Sequence, residues 1–416
     1  MSLSEGVSAS IRYKAYPSGS ISSNTQPTSI SDPGTSGGQL LRRVSSTVNL
    51  VKDTYQSAEV RTDRQIVDFR HGVKRVTGSI SGEWSPGTYW DFMEAVCRGT
   101  EASAVTFSNS DFGAVSASST TSSFTFSSGD PVVTGLRVGD IIQFTDLSET
   151  LNNTRNYLIT GFSGSNLVVS VYPAPTTMGG DASYTGTTMG KSVYAPTSGH
   201  VSRKFLIEAY HSDIDVSRVF TECRVGGMNF GLPATGMATI EIPMMGRDME
   251  VYSDSNAPFF ASPTAETSTG IFAAVNGLIM LAGTAVGVVT GVTLNIDLAP
   301  SSDAVVGQNF VPEVFLGRVN ATGQLTAMFQ DSTVINYFKN ETEVSVLLFL
   351  TTTSAADSPA ASIHLPRVKF GDASVGLTGE GAQIITMPLQ ALLSTATELS
   401  TGVVKTTVRF TDSAAA

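Results

Sequence analysis

Apolar and polar residues alternate in short runs along most of this chain, and that alternation predicts strands. Val44–Val51 alternates, as does Val73–Trp84. Between them, Lys52–Gly72 carries mixed charge with little apolar pattern and reads as a long loop or hairpin. A helix is predicted next. Ser85 suits an N-cap and Pro86 the first helical position. Tyr89, Phe92, Met93 and Val96 recur at i, i+3, i+4 and i+7, so the helix Pro86–Cys97 packs through one face, and Gly99 supplies its stop. Late in the chain, Asp331 caps a shorter helix carrying Val334, Ile335 and Phe338. Short strands are predicted at Ser122–Phe126, Ile141–Phe144, Asn156–Phe162 and Asn166–Tyr172, between Gly and Asn turns. Thr267–Ile296 has no charge, but Gly277, Gly283, Gly287 and Gly291 interrupt it. Its β-branched run Ala285–Thr290 reads as buried strands with glycine turns rather than a membrane-spanning helix.

The pattern also repeats. Val48-Asn49-Leu50 answers to Leu294-Asn295-Ile296, and Thr77-Gly78 follows the first at a spacing of 29 as Thr322-Gly323 follows the second at 28. Asp91-Phe92 answers to Asn336-Tyr337, and Thr100-Glu101 to Thr342-Glu343. Arg224-Val225 leads to Ile242-Pro243 as Arg367-Val368 leads to Met387-Pro388. Landmarks kept in one order at nearly one spacing predict a duplicated domain. The expected organisation is a flexible N-terminal arm at 1–40, a first copy at 41–107 and 197–250, an inserted small β domain at 108–196, a linker with additional strands at 251–285, and a second copy at 286–416. The fold class is mainly β, with one flanking helix per copy.

Composition narrows the function. The 416 residues suffice for two or three domains, and Gly, Ser, Thr and Val favour strands and turns. The net charge of −11 is uneven: +2 over residues 1–100 and −13 over residues 101–416. No Lys/Arg cluster is interleaved with aromatics, so binding nucleic acid as a ligand is not expected. Cys97 and Cys223 stand far apart in no metal spacing and read as small apolar residues in a reducing compartment, a disulfide being the other reading. The N-terminus shows no basic and apolar leader pattern.

Candidate chemistry is sparse. Met189-Gly190-Lys191-Ser192 resembles the end of a phosphate-binding loop, but the first glycine of that motif falls on Thr185, with Gly186 one place off. His71, His200, His211 and His364 have no partner spacing for zinc or for a nucleophile, and Asp213-Ile214-Asp215 completes no calcium loop. No catalytic residue, metal site or cofactor is expected.

Asp63-Arg64-Gln65, His71-Gly72, Gly78–Glu83, Pro86–Phe92 and Arg98-Gly99 resemble the N-terminal signature of major tail tube proteins of long, non-contractile-tailed (siphovirus-type) bacteriophages. The likeness is close over Leu40–Glu101 and weaker through 224–248 and 285–410. It implies two tandem tube-type β-sandwich or part-barrel domains, rings stacked into a tube, and an insert of the decorating kind. Two tube domains per chain imply a homotrimeric ring with pseudo-sixfold symmetry, a homohexamer being the alternative. The implied partners are further copies of the chain, other tail proteins at the tube ends and double-stranded DNA in transient passage, with no membrane insertion. The implied location is the virion tail, assembled in the bacterial cytoplasm. On this reading the alternating charges Asp53, Glu59, Arg61, Asp63, Arg64, Asp68 and Arg70 form a ring-stacking loop. The competing reading is a soluble β-rich virion binding module of the carbohydrate-binding or adhesin type, carrying its site in the insert.

Overall fold

The structure, a computed structural model, describes residues 3–17, 34–376 and 381–415. Most strands of its larger sheet fall into two sets. The first comprises β1 (Ala9–Ala15), β2 (Gln39–Leu41), β3 (Asn49–Gln56), β4 (Phe69–Glu83), helix α1 (Trp90–Cys97), β5 (Phe205–His211), β6 (Val216–Val225), β7 (Gly227–Pro233), β8 (Thr239–Gly246) and β9 (Asp248–Ser253). The second comprises β10 (Gly277–Leu281), β11 (Thr284–Ala285), β12 (Val289–Asp297), β13 (Asn320–Met328), helix α2 (Thr333–Lys339), β14 (Val344–Thr351), β15 (Ala360–Phe370), β16 (Ser374–Val375), β17 (Ile384–Ala391) and β18 (Arg409–Asp412).

The antiparallel pairings recur between the sets. β3 pairs β4 as β12 pairs β13, and β4 pairs β8 as β13 pairs β17. β5 pairs β6 as β14 pairs β15, and β6 pairs β8 and β9 as β15 pairs β17 and β18. β7 lies on β8 as β16 lies on β17, and β1 on β2 and β5 as β10 on β11 and β14. Register recurs too. Asn49 opposes Thr77 and Asn295 opposes Thr322; Pro243 opposes Ser79 and Pro388 opposes Gln324. Even a bulge is repeated. Register slips between Phe205↔Cys223 and Ile207↔Phe220, and likewise between Val344↔Val368 and Val346↔Leu365.

One apolar cluster runs through both sets, from Ile80, Phe92 and Phe205 to Leu294, Leu325 and Met387. Burying side chains of this size stabilises by about 1.5–3 kcal/mol each. A second sheet of eight short strands, from Thr106–Ser108 to Thr185–Thr188, has its own core around Phe107, Phe124, Phe144 and Tyr157. It sits on the second set. Asn156 Nδ2 donates to Ser358 O at 2.9 Å, Ser362 Oγ to Gly139 O at 2.6 Å, and Arg409 pairs with Asp140. The chain returns from it through Lys191–Tyr194, which pairs with β18.

Several expectations need correction. Helix α1 begins at Trp90, not Pro86, because Gly87 takes φ +74° and the Ser85 and Thr88 hydroxyls close a turn at 2.6 Å. Its C-cap is Arg98 at φ +53°, with Gly99 one place later. The loop over 52–72 is shorter than its composition implies, since β3 runs to Gln56 and β4 starts at Phe69. The arm over 1–40 includes β1, which pairs with β5 and buries Ile11 and Tyr13; residues 18–33 lie outside the described residues. By register, Arg224 corresponds to Lys369 rather than to Arg367, since each opposes the residue two places after the matched proline. Within 251–285, β10 and β11 pair inside the second set. Among the described residues, no helix is long and apolar enough to cross a membrane.

Candidate functional site

β7 pairs with β8 on one side and with β12 on the other, so it splices the two sets. The result is one antiparallel ladder in the order β3-β4-β8-β7-β12-β13-β17, with β16 beyond β17. Side chains alternate faces along each strand. Val76, Ile80, Ile240, Ile242, Leu294 and Leu325 point into the core. The intervening residues share the other face. They include Asn49, Thr77, Ser79, Ser81, Thr239, Asn229, Thr293, Asn295, Gln324 and Gln390, and each opposes another member across the ladder.

That face is mainly neutral and acidic, and its cation Lys369, opposite Gln390, lies 3.6 Å from Glu341. Glu83, Glu241 and Asp297 lie on the face, and Asn229 Nδ2 donates to Glu241 Oε2 at 3.3 Å. Arg75, on the same face, is held by Asp53 at 3.1 Å. Around the splice the face dips into a broad concavity of about 590 Å³ lined by Ser81, Glu83, Asn229, Glu241, Thr293 and Asn295. Pro243 and Pro388 sit on this face at mid-strand, where a missing N–H would normally break a ladder. Each carbonyl accepts from a glycine, Gly226 or Gly371, at 2.8 Å. The proline nitrogen points the same way, toward the change of partner from β7 to β6, or from β16 to β15, so no ladder bond is lost.

A second staple crosses the splice. The segment joining β12 to β13 folds back over the first set. Glu313 accepts from Lys204 at 3.2 Å and Arg224 at 2.9 Å, and Arg247 Nε donates to Val311 O at 3.0 Å. Phe310 carries the Arg247 guanidinium at 5.3 Å. Trp84 packs at 5.0 Å on both Phe230 and Phe272.

The corresponding segment of the first set, 57–68, does not fold back. It forms the tip of the β3–β4 hairpin and stands out from the ladder. Its charges pair among themselves. Arg61 lies 3.8 Å from Glu59 and 3.4 Å from Asp63, and Arg70 lies 2.7 Å from Asp68. Asp53 holds Arg75 at the hairpin base, and Arg64 takes φ +55° at the tip. What the sequence reading missed is apolar: Tyr55, Val60, Ile66, Val67 and Phe69 are exposed, Val60 at 98%. Nothing in the alternation signalled them, because neither face of the tip is buried. At the opposite end of the second set, between the β10–β11 turn, the end of β13, α2 and β17, lies an apolar groove of about 290 Å³ lined by Leu281, Val286, Val288, Phe329, Val334 and Met387.

The helix residues Tyr89, Phe92, Met93 and Val96 are all buried, and Tyr89 Oη donates to Arg42 O at 2.9 Å. Helix α2 is looser, with Val334 and Ile335 partly buried and Phe338 exposed. Cys97 and Cys223 are unbridged, and burial pushes both thiols up. Lys191 of the phosphate-loop-like stretch pairs with Glu101 at 2.9 Å. Asp213 accepts from Glu5 N and from Ser4 Oγ. Among the described residues, no three His, Cys, Asp or Glu side chains gather as metal ligands. A family model described as "Phage tail tube protein" matches residues 22–391. No curated protein matches the chain.

Proposed function

The chain belongs to the phage tail tube protein family, and from that premise we propose that it is the ring subunit of the tube wall, its polar sheet face lining a channel through which DNA passes. The observation that carries this reading is the β7–β12 splice, which joins two recurrent strand sets into one ladder with a core face and a polar face. Each set is a tube-type unit: 41–107 with 197–250, and 286–416, preceded in each case by its β1–β2 or β10–β11 pair. The sheet at 108–196 is an inserted decoration domain. Each unit supplies four strands to the ladder, β3, β4, β8 and β7 or β12, β13, β17 and β16. Three chains then supply twenty-four. At about 4.8 Å per strand and a tilt of about 40°, such a barrel is roughly 45–50 Å across its backbone, wider than a DNA duplex.

The chemistry of the face suits passage without binding. A protein that neutralises phosphates holds duplex non-specifically with Kd around 10⁻⁴–10⁻⁶ M, and stacked rings would multiply that grip. Ser, Thr, Asn and Gln with Glu83, Glu241 and Asp297 offer no such neutralisation. Axially, the hairpin tip with Asp53, Glu59, Arg61, Asp63, Arg64, Asp68 and Arg70 reaches the next ring. Its exposed apolar residues enter the groove at the far end of a second-set unit. Other tail proteins meet the tube at its ends, and assembly takes place in the host cytoplasm.

Electron microscopy of purified, concentrated protein tests the reading. Hollow tubes or rings with threefold symmetry are expected. Discrete monomers at all concentrations would instead favour a soluble binding module.

A further inference from the structure

The insert interrupts the first set in sequence, between α1 and β5, yet it rests on the second. β10 and β14 turn Ile279, Leu281, Val346 and Leu348 into the main core. Their other face carries Leu278, Met280, Leu347 and Phe349, and the insert covers it with Val138, Ile141 and Leu158. Where that cover stops, a cleft of about 290 Å³ opens along the seam. Arg155, Tyr172 and Pro173 of the insert form one wall. The margin of β10 and β14 and the turn from β14 to β15 form the other, with Leu278, Phe349 and Ser354. We propose that this cleft binds an acidic saccharide, a sugar ring bearing a carboxylate, with Arg155 as its anion contact and the Tyr172 ring as its platform. The cleft lies within one chain, so the proposal goes beyond the ring reading and does not rest on it.

Charge is the first ground. Two other arginines of the seam are neutralised: Arg137 lies 3.0 Å from Glu398, and Arg409 pairs with Asp140. Arg155 is half-buried and, among the described residues, has no ion pair or hydrogen bond; its Nε is shielded from solvent without a partner. The guanidinium lies 6.0 Å from the centre of the Tyr157 ring. That contact gives none of its N–H groups an oxygen acceptor, so the planar fork remains for a planar anion. A carboxylate meets such a fork in bidentate fashion. No Asp or Glu lines the cleft to compete for it.

Shape is the second ground. Tyr172 is 40% exposed, and Phe349 braces its ring edge-on at 6.3 Å. Such a ring offers an apolar body and a polar tip. A sugar presents the matching surfaces, a C–H face and a rim of hydroxyls. The opposite lip is set in advance. Thr352 N donates to Pro359 O at 3.1 Å, Ala355 N to Thr353 Oγ1 at 3.2 Å, and Asn156 N to Ala356 O at 2.9 Å. A preformed site loses little ordering entropy on binding. Ligand clefts run from about 300 to 1,000 Å³, so this one suits a small sugar rather than a folded partner. Its lining strands lie outside the polar-faced ladder, and it is no part of the proposed channel wall. On an assembled tube the cleft recurs in every subunit, and weak single sites then add through avidity.

The test titrates the unassembled full-length chain by calorimetry with methyl β-glucuronide, the neutral methyl β-glucoside and acetate. Expected is binding of the glucuronide roughly tenfold tighter than of either other probe, since it alone engages both Arg155 and Tyr172. Raising the salt should weaken it. Arg155→Gln should abolish the preference for the glucuronide over the glucoside, and Tyr172→Ala should weaken both sugars. Ser354→Asp sets a carboxylate on the exposed lip and leaves Arg155 in place. It should weaken the glucuronide about tenfold, which keeps the proposal testable if Arg155→Gln fails to fold. Equal affinity for acetate or for the glucoside would overturn the acidic saccharide. No binding of the glucuronide, or binding unchanged in both Arg155→Gln and Ser354→Asp, would overturn the site. Ring formation by the parent protein is scored separately by microscopy, and its failure would overturn the ring reading alone.

Discussion

Gly78 and Gly323 lie where the neighbouring strand passes directly over the backbone. A Cβ on Gly78 would meet Thr47 O at 2.5 Å, and one on Gly323 would press on Thr293 O in the same way. That crowding explains the Thr-Gly landmark that betrays the duplication in the sequence. Ala at either position is expected to cost about 1–3 kcal/mol, read as a lower urea midpoint; an unchanged midpoint would mean the neighbouring strand yields freely. On the polar face, Asn295→Lys with Gln324→Lys adds cations to every unit of the second set. Tubes of this variant should co-sediment with short duplex DNA at low salt and release it as salt rises, whereas parent tubes should not. Deep between the second set and the insert, His364 is buried beside Arg409, and burial first, then that charge, holds its pKa down at about 3. The folded-state value is depressed, so its contribution is fully present above about pH 6.5 and lost as pH falls toward 3. Between pH 7 and 5 the loss is about 2 kcal/mol. Asp412, whose carboxyl burial raises to about 6, works in the opposite sense: its contribution is full below its ordinary range and lost as pH rises through 6. The readable quantity is therefore a difference. His364→Asn should lose less melting temperature than the parent between pH 7 and 5, and equal slopes would contradict the assignment.

Elements differ in how far the sequence foretold them. β4 was legible as an alternating run because alternation follows burial, whereas β8 and β13 entered the sequence reading only as landmarks of the repeat. Helix α1 was legible in its buried stripe but not in its start, since Ser85 and Pro86 serve a turn held to Asp412 rather than the helix itself. The Arg224 landmark slipped by two because it followed the identical Arg-Val pair: by register Arg224 stands 19 places before Pro243 as Lys369 stands 19 before Pro388, a spacing that Arg367 does not keep. The hairpin was the least legible element. Its charges are conspicuous in sequence, yet they pair locally, and its exposed apolar side chains carry no period to read. Two substitutions separate the charged from the apolar contribution. Val60→Asp with Ile66→Asp should block tube elongation while leaving rings and the subunit melt intact. Arg61→Glu with Arg64→Glu should also block it if charge reaches across rings. Normal-length tubes from the charge variant, with none from the apolar one, would assign the contact to the apolar side chains; normal tubes from both would remove the hairpin from the contact altogether.

At the scale of the molecule, the proposed ring rests on one property: the splice inside the chain joins a β7 edge to a β12 edge, and the ladder ends in the counterparts of both. The two strand sets share pairing, register and a bulge, but they are not interchangeable. The first set projects a hairpin, while the second folds the matching segment back and locks it through Glu313 to Lys204 and Arg224. In the proposed ring of three chains this difference would present three hairpins rather than six, a threefold symmetry with a sixfold echo. The acidic balance beyond residue 100 supplies Glu241 and Asp297 to the polar face, where they join Glu83, and Arg75 of the first segment is already paired. A strand-resolving reconstruction of the self-assembled tube tests this most directly. The account predicts three chains per ring, twenty-four strands around the channel, and Asn49, Asn229, Asn295 and Ser374 facing the lumen. Six chains per ring, or a channel lined by any other surface, would contradict it.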